Sequence, residues 1–250
     1  MTGYTVDLHV KVLDEPAVEY ARRRGIDAVV YAPHFVPLPE IERRAAQLST
    51  DGVAVLPARE IFTGGWGNRR HLLALDLSAP IPDYISFEGA IAELRRQDAI
   101  VLAPHPSFLS ISLERADIEA TRSVLAGIEV YNTKHLAKHN RDARRLATDF
   151  DIPVFGSSYA HLPKTIGEAW TTFDSDVGDP ATLLAALRSG SDRVVGHRTG
   201  LSHRSRRWLE FGHIFWENSV QKIQYSLTNG RQTLPDNPIY EGRFDDISVY

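Results

Sequence analysis

The chain of 250 residues contains no cysteine and only one methionine. The absence of cysteine excludes disulfides and thiolate ligands, so any metal ion must be held by nitrogen and oxygen donors. No stretch approaches the roughly 18 apolar residues that a membrane span needs. The formal net charge is only −4, so no strong field points to nucleic acid or to an anionic membrane. The N-terminal residues MTGYTVDLH lack the basic flank and apolar core of a secretory signal, which favours the cytoplasm.

Short apolar runs alternate with amphipathic helical patterns along most of the chain. The predicted strand Ile26–Tyr31 precedes an amphipathic segment at Pro39–Leu48, and the predicted helix Ser86–Gln97 precedes the strand Ala99–Ala103. This alternation is typical of a parallel α/β fold. Beyond Thr199 the pattern changes, and residues 202–227 predict one long helix or two short ones, followed by a turn-rich tail.

Several predicted strands end in an imidazole or a carboxylate. The first strand carries Asp7 and His9 at its end, and the strand Leu72–Leu75 has His71 at its beginning. The other strands end at or just before His34, Glu60, His105 and His161. Such groups at the ends of successive strands are what a metal site at the mouth of a barrel requires.

The ordered motifs DLH, a strand ending in His, a Glu, HLLAL, His-Pro and SYAH resemble the PHP (polymerase and histidinol phosphatase) family of metal-dependent phosphoesterases. The resemblance covers residues 5 to about 173. It implies an α/β fold, a distorted TIM-like (βα)7 barrel, over residues 1–196, with a C-terminal helical segment and tail packed on it at 197–250. It also implies metal ligands at His9, His34, Glu60, His71, His105 and His161.

Two ligand positions of the family are altered in this chain. Lys11 stands where the family has the second His of D-L-H-x-H, and Tyr159 replaces the Asp of S-D-A-H. A lysine ammonium would repel a metal ion and take roughly its place, paired with Glu60 or Asp7. The resemblance therefore implies one or two divalent ions, of zinc, manganese or iron, rather than three.

The remaining ligands fall into two sets. Glu60, His71 and His105 suffice to hold one ion with an open position for water. His34 and His161 form a half-site whose third ligand would be Asp14 or a water.

Other residues are candidates for catalysis and phosphate binding. Lys11 and Tyr159 are the candidate catalytic residues. Lys11 and one of Arg69 and Arg70 would hold phosphoryl oxygens, and Tyr159 would orient the leaving oxygen or fill the vacated space.

Three polar residues are expected to support the site. Asp7 is expected to orient His9 rather than to bind metal. Glu129 and Asn132 match a family motif, E-x-x-N, but a polar pair that caps the next helix is an equal interpretation.

Two functions are compatible with these residues. The first is a hydrolase that cleaves a small phosphoester or a nucleotide with metal-activated water. The alternative is a remodelled barrel that acts as a binding or regulatory module, with Lys11 and Tyr159 in place of metal. An amidohydrolase-type cleavage of C–N bonds is a distant third. The acidic total disfavours a nucleic-acid partner, no membrane partner is expected, and substrate and oligomeric state are not indicated.

Three further clusters favour ordinary structural roles. Alternating lysines and histidines at positions 134–139 predict a solvated helix face rather than a metal site, because the lysines would repel a cation. The basic run at 203–207 predicts a solvated helix start. A core or interface stripe is expected for the aromatic residues Trp208, Phe211, Phe215 and Trp216.

Overall fold

The computed structural model describes residues 3–64, 69–107, 111–174, 176–216 and 244. Nine strands in this part of the chain form one sheet: β1 (Tyr4–Val10), β2 (Ala28–Tyr31), β3 (Ala54–Thr63), β4 (Arg70–Leu75), β5 (Ile100–Ala103), β6 (Leu125–Asn132), β7 (Val154–Ser157), β8 (Ala169–Phe173) and β9 (Arg193–His197). The α-helices are α1 (Glu15–Arg23), α2 (Leu38–Leu48), α3 (Phe87–Arg96), α4 (Arg115–Thr121), α5 (Ala137–Phe150), α6 (Pro180–Ser189) and α7 (Leu201–Trp216).

The sheet curls until its two ends nearly meet. The strand order is β7-β6-β5-β4-β3-β2-β1-β8-β9, and β7 also packs against β8 and β9. A parallel bridge between Val10 and Ala160 joins the end of β1 to the segment after β7. The expected barrel-like α/β fold is thus confirmed.

The strand directions differ from a uniform parallel barrel. β1, β2 and β3 are mutually parallel, as are β5, β6 and β7, but β4 and β8 run antiparallel to both of their neighbours. The expected (βα)7 repeat is therefore not confirmed. The reversal of β4 has a direct consequence, because it brings the beginning of β4 to the edge where the parallel strands end.

Local signals in the sequence define several helix ends. Asp14 caps α1 by accepting a hydrogen bond from the Ala17 N–H at 2.8 Å, and Pro16 lies in the first turn. Asp179 caps α6 in the same way through Thr182, at 2.8 Å. Gly190 then ends α6 in the left-handed conformation, with φ 69°, as is usual for a helix C-terminus.

Side-chain alternation along the strands separates an inner core from two outer ones. Along β3, Leu56, Ala58 and Glu60 point to one face, and the first two belong to a buried cluster shared with β1, β2, β4, β5 and β7. The other faces of the strands pack against α1 and α2 on one side and against α3, α4 and α5 on the other. Glu60 therefore lies at one end of the inner core.

Two predicted elements have different bounds in the structure. The sequence predicts a third strand at Val53–Leu56 with Glu60 after it, but Glu60 lies inside the ten-residue strand β3. The apolar pattern over Leu113–Leu125 predicts a helix, but the structure has only α4, Arg115–Thr121, because Leu125 already begins β6.

The C-terminal expectations are tested only up to residue 216. α7 covers the first part of the predicted helix at 202–227, and the rest of that helix and the turn-rich tail lie outside the described residues. The sequence also predicts a glycine-rich turn at residues 63–68, and residues 65–68 of this turn lie outside the described residues too. No helix in the described part of the chain is both long and apolar enough to cross a membrane.

Candidate metal centre

A buried carboxylate and two imidazoles meet at one end of the inner core. Glu60 Oε1 is 2.8 Å from His105 Nε2 and 3.2 Å from His71 Nδ1. One potential ligand atom from each residue lies within 4.8 Å of those of the other two, and all three residues are buried. We call these residues, Glu60, His71 and His105, the Glu60 cluster.

Strand geometry explains why these three side chains converge. β3 and β4 form an antiparallel pair in which Phe62 is opposite His71, so Glu60 and His71 point to the same face. His105 follows the end of β5, and its backbone has φ 33°, which is uncommon for a residue other than glycine. Because β4 is antiparallel, its first residues lie at the same edge as the end of β5.

Glu129 holds the backbone of His105 in place. Its Oε2 accepts a hydrogen bond from the His105 N–H at 2.7 Å and another from Asn132 Nδ2 at 3.1 Å. Ser157 donates to the other carboxylate oxygen. Glu129 is fully buried, and this burial raises its pKa. The pair Glu129 and Asn132 thus contacts the ligand-bearing loop as well as the turn before α5.

Two further histidines approach the same carboxylate. His34 Nδ1 is 3.1 Å from Glu60 Oε2, and His9 Nε2 is 3.7 Å from Glu60 Oε1. Both ring nitrogens of His9 are buried and have no hydrogen-bond partner among the described residues. Buried polar atoms are nearly always satisfied, so the environment of His9 fits a cation as its missing partner.

Lys11 contacts Oε2 of the Glu60 carboxylate. Its Nζ is 2.5 Å from Glu60 Oε2 and 2.5 Å from the carbonyl oxygen of Ala32. The side chain is only 3% exposed. Lys11 therefore pairs with Glu60, one of its two predicted partners, and leaves Oε1 facing His71 and His105.

The electrostatic environment shifts the pKa values of Glu60, His71 and His9 towards the forms that could bind a metal ion. Burial alone would raise the pKa of Glu60, but the Lys11 ammonium and the neighbouring imidazoles hold that pKa well below its usual range. Burial lowers the pKa of His71 to about 4 and that of His9 well below its usual value. A carboxylate and neutral imidazoles are the states that coordinate a divalent ion.

The segment after β7 brings Tyr159 and His161 to the site. The Tyr159 ring lies 4.6 Å from that of His9 and 5.5 Å from that of His105, measured between ring centroids. Its backbone has φ 51°, and strained residues of this kind concentrate at functional sites. His161 is 5.9 Å from His34 between ring centroids, so the predicted half-site residues are neighbours.

Two charged residues beside His161 were not predicted from the sequence to belong to the site. Lys134 Nζ lies 2.6 Å from His161 Nδ1, and Glu210, from α7, lies 3.3 Å from the same ammonium. The prediction of a solvated helix face at 134–139 is wrong for its first two residues, because α5 begins only at Ala137. Lys134 and His135 instead lie in the inward-facing turn before α5 and are buried.

Three residues of the basic run at 203–207 contact the barrel, while Arg204 and Ser205 are exposed as predicted. Glu168 Oε2 lies 2.7 Å from His203 Nδ1, within hydrogen-bond distance, and Glu168 Oε1 forms an ion pair with Arg206 at 2.6 Å. Arg207 donates a hydrogen bond to the carbonyl of His135 at 2.7 Å. The predicted solvated start is therefore wrong for these three residues.

The aromatic residues of α7 are only partly described. Trp208 is 74% exposed, which contradicts a core position for that residue. Its ring is 5.9 Å from the ring of Phe211. The side chains of Phe215 and Trp216 lie outside the described ones.

Two residues predicted to bind phosphate and one predicted as a possible metal ligand have other partners. Arg70 lies on the face of β4 opposite to His71 and pairs with Asp117 at 2.5 Å, while the Arg69 guanidinium lies over the Tyr84 ring. Asp14 is used as the cap of α1.

Asp7 ties the end of β1 to the segments that follow β7. It accepts hydrogen bonds at 2.9 Å from the backbone N–H groups of Ser158 and Gly167. Burial raises its pKa to about 6. That Asp7 orients His9 stays a prediction.

An open cleft lies beside the buried site, next to Lys11 and His161. It has a volume of about 360 Å³, and its lining includes Lys11, Asp14, Tyr31, Arg44, His161 and His213. Lys11 and His161 belong both to the cleft and to the buried site. A small molecule in the cleft would therefore lie beside Lys11 and His161.

The fold and the site define an α/β barrel with a buried carboxylate–imidazole centre suited to a divalent metal at its mouth. The PHP-associated family matches residues 137–191. This match agrees with the resemblance to the PHP family that the ordered motifs indicate.

Solved structures share this fold at low sequence identity. PsfC from Pseudomonas syringae is 19% identical with a TM-score of 0.65, covering 88% of this chain and 100% of PsfC. A two-domain protein from Bacteroides vulgatus, which contains a predicted PHP-like metal-dependent phosphoesterase, is 19% identical with a TM-score of 0.58, covering 79% of this chain and 65% of that one. The lesion-specific endonuclease PfuEndoQ from Pyrococcus furiosus is 14% identical with a TM-score of 0.58, covering 77% and 57%. No curated protein sequence matches the chain significantly.

Proposed function

We propose that this protein is a metal-dependent hydrolase that cleaves the phosphoester bond of a small phosphoester or a nucleotide. The observation that carries the proposal is the buried Glu60 cluster, whose potential ligand atoms lie within 4.8 Å of one another. One carboxylate and two imidazoles suit Zn²⁺, Mn²⁺ or Fe²⁺ and leave a position open. The names of the Bacteroides and Pyrococcus proteins, a phosphoesterase and an endonuclease, support phosphoester chemistry.

The residues of the centre fit such an ion. Glu60, His71 and His105 would hold it, and the unsatisfied nitrogens of His9 lie on the same side of the carboxylate. A divalent ion bound there would polarise a phosphoryl oxygen and lower the pKa of water towards neutrality.

Lys11 and Tyr159 would prepare the site for a phosphate group. The Lys11 ammonium fixes one oxygen of Glu60, and Lys11 also borders the cleft, so its positive charge would attract a phosphoryl oxygen of a molecule bound there. The Tyr159 ring packs against His9, His105 and His161, so it shields the imidazoles from water on that side. Arg70 is not assigned to phosphate binding, because it faces away from the centre.

Metal content tests the proposal before any substrate is known. The protein would be purified without chelator, incubated with Mn²⁺, Zn²⁺ or Fe²⁺, desalted and subjected to elemental analysis. We expect about one equivalent in the wild type, its loss in His105→Ala and its retention in His197→Ala, an exposed histidine on β9. A screen of phosphoesters with the loaded protein follows. Absence of bound metal under every condition would refute the hydrolase.

One observation favours the non-catalytic alternative. The Lys11 ammonium already balances the charge of Glu60, so the buried carboxylate is compensated without any metal. A barrel that folds stably but takes up no metal would support a binding or regulatory module. The same elemental analysis therefore decides between the two functions.

A further inference from the structure

A second lysine is buried beside the centre and has partners that resemble the ligands of a cation. The Lys134 ammonium lies 2.6 Å from His161 Nδ1 and 3.3 Å from Glu210 Oε1, and it also contacts the carbonyl oxygen of Tyr159. The Lys134 and Glu210 side chains are only 4% and 2% exposed. The ammonium also lies over the Tyr159 ring, 4.0 Å from its centroid.

Glu210 comes from outside the barrel and is fixed from several directions. It accepts hydrogen bonds from the backbone N–H of His161 and from the hydroxyl of Thr165, the latter at 2.8 Å. Since Glu210 lies on α7, these contacts tie the C-terminal helix directly to a histidine of the site. The contacts of Glu168 with His203 and Arg206 fix the same helix a short distance away.

The partners of the Lys134 ammonium are an imidazole nitrogen, a carboxylate oxygen and a backbone carbonyl oxygen. These are donor types that a divalent ion also takes. An ammonium and a divalent ion cannot share one position, because two cations in contact repel each other strongly in a buried site. On the His161 side of the site, the Lys134 ammonium therefore occupies the position that a metal ion would need.

We infer that Lys134 is a built-in cation on the His161 side of the site, so that the centre takes one metal ion, at the Glu60 cluster, and α7 completes the site through Glu210. This inference rests on the proposed metal centre and specifies its stoichiometry. It also gives the C-terminal helix a positioning role, because Glu210 holds both Lys134 and the backbone of His161.

Zinc stoichiometry tests the inference. Zn²⁺ binding would be measured by calorimetric titration and by elemental analysis for the wild type, Lys134→Ala, the double variant Lys134→Ala/Glu210→Gln, and Lys138→Ala. Lys138 is a matched control, since it lies four residues further on and is exposed. We expect one equivalent in the wild type and in Lys138→Ala, two in Lys134→Ala, and one again in the double variant, which lacks the carboxylate.

Two results would overturn the inference. One is two equivalents in the wild type, and the other is an unchanged stoichiometry in a folded Lys134→Ala protein. If that variant does not fold, Lys134→Ser removes the charge and leaves the position of the ammonium open, and zinc should raise its Tm more than that of the wild type. If neither variant folds, the wild type decides, because two equivalents contradict a built-in cation and one agrees with it.

The stoichiometry and the proposed function fail independently. A wild-type protein that binds one zinc ion but cleaves no phosphoester would contradict the proposed function and leave the role of Lys134 intact. A protein that cleaves phosphoesters with two bound ions would contradict only the role of Lys134. No zinc in either the wild type or Lys134→Ala would contradict both.

Discussion

Removal of the Lys11 ammonium should destabilise the metal-free protein strongly. The Lys11 and Glu60 side chains are 3% and 0% exposed, and their charged atoms are 2.5 Å apart. In Lys11→Met, a side chain of similar length replaces the lysine, but the Glu60 carboxylate loses its only contact with a fixed positive charge among the described residues. The hydrogen bond from Lys11 to the Ala32 carbonyl is lost as well.

The expected magnitude follows from the burial of the pair. Breaking a buried ion pair by removing one partner costs about 3–5 kcal/mol, because the other charge is left uncompensated. His71, His105 and His34 also contact the Glu60 carboxylate, so we expect the lower end, about 3 kcal/mol. That loss is a large share of the roughly 5–15 kcal/mol by which a typical protein is stable.

Urea denaturation in the presence of EDTA measures this loss, provided that the m value stays unchanged. Lys138→Met, an exposed change on α5, should stay within about 0.5 kcal/mol of the wild type. The double variant Lys11→Met/Glu60→Gln should lose less than the sum of the single changes, since both charges are gone. A loss below about 1 kcal/mol for Lys11→Met would refute a buried, energetically important pair. So would a loss that vanishes in high salt, because salt screens only exposed charges effectively.

Two further changes test other parts of the structure. Burial lowers the pKa of His135 to about 2, whereas an unfolded histidine binds a proton below about pH 6.5. Between these two pKa values only the unfolded state binds the extra proton. The contribution of His135 to stability is complete above about pH 6.5. It falls by about 1.4 kcal/mol per pH unit as the pH drops from 6 to 4. His135→Phe should remove that part of the slope in urea titrations at several pH values, and an unchanged slope would contradict a buried neutral imidazole. Asp179→Ala should cost about 1 kcal/mol of unfolding free energy at neutral pH, because Asp179 caps α6 through Thr182; an effect below a few tenths would show that the cap is unimportant.

The elements around the centre could be predicted because their signals are local. An apolar run followed by a polar group, such as the one that ends at His105, reflects a buried strand whose end meets solvent or a site. The sequence also placed His71 at the start of its strand, and the antiparallel direction of β4 explains that position. Strand direction itself depends on pairing between distant segments, so the motif order indicated the ligands but not the reversal.

The residues that were missed owe their burial to distant partners. Lys134 and His135 begin the segment KHLAKH at positions 134–139, whose two lysines and two histidines favour a solvated helix face. Their burial requires Glu210, which is 76 residues away from Lys134 in the sequence, and the docking of α7. Arg70 is the converse case, because its register on β4 places it opposite to the adjacent His71 and next to Asp117. No local pattern specifies which face of that strand meets the centre.

The two buried lysines determine how much charge the centre could direct at a substrate. Lys11 balances Glu60 and Lys134 balances Glu210, so these buried charges cancel in pairs. The positive charge of a bound divalent ion would then not be offset by these carboxylates, and would be available to the phosphoryl oxygens of a molecule in the adjoining cleft. Low dielectric surroundings strengthen that attraction. The lysine at position 11, the most evident departure from the family pattern, is therefore compatible with the proposed hydrolase, provided that one ion binds at the Glu60 cluster.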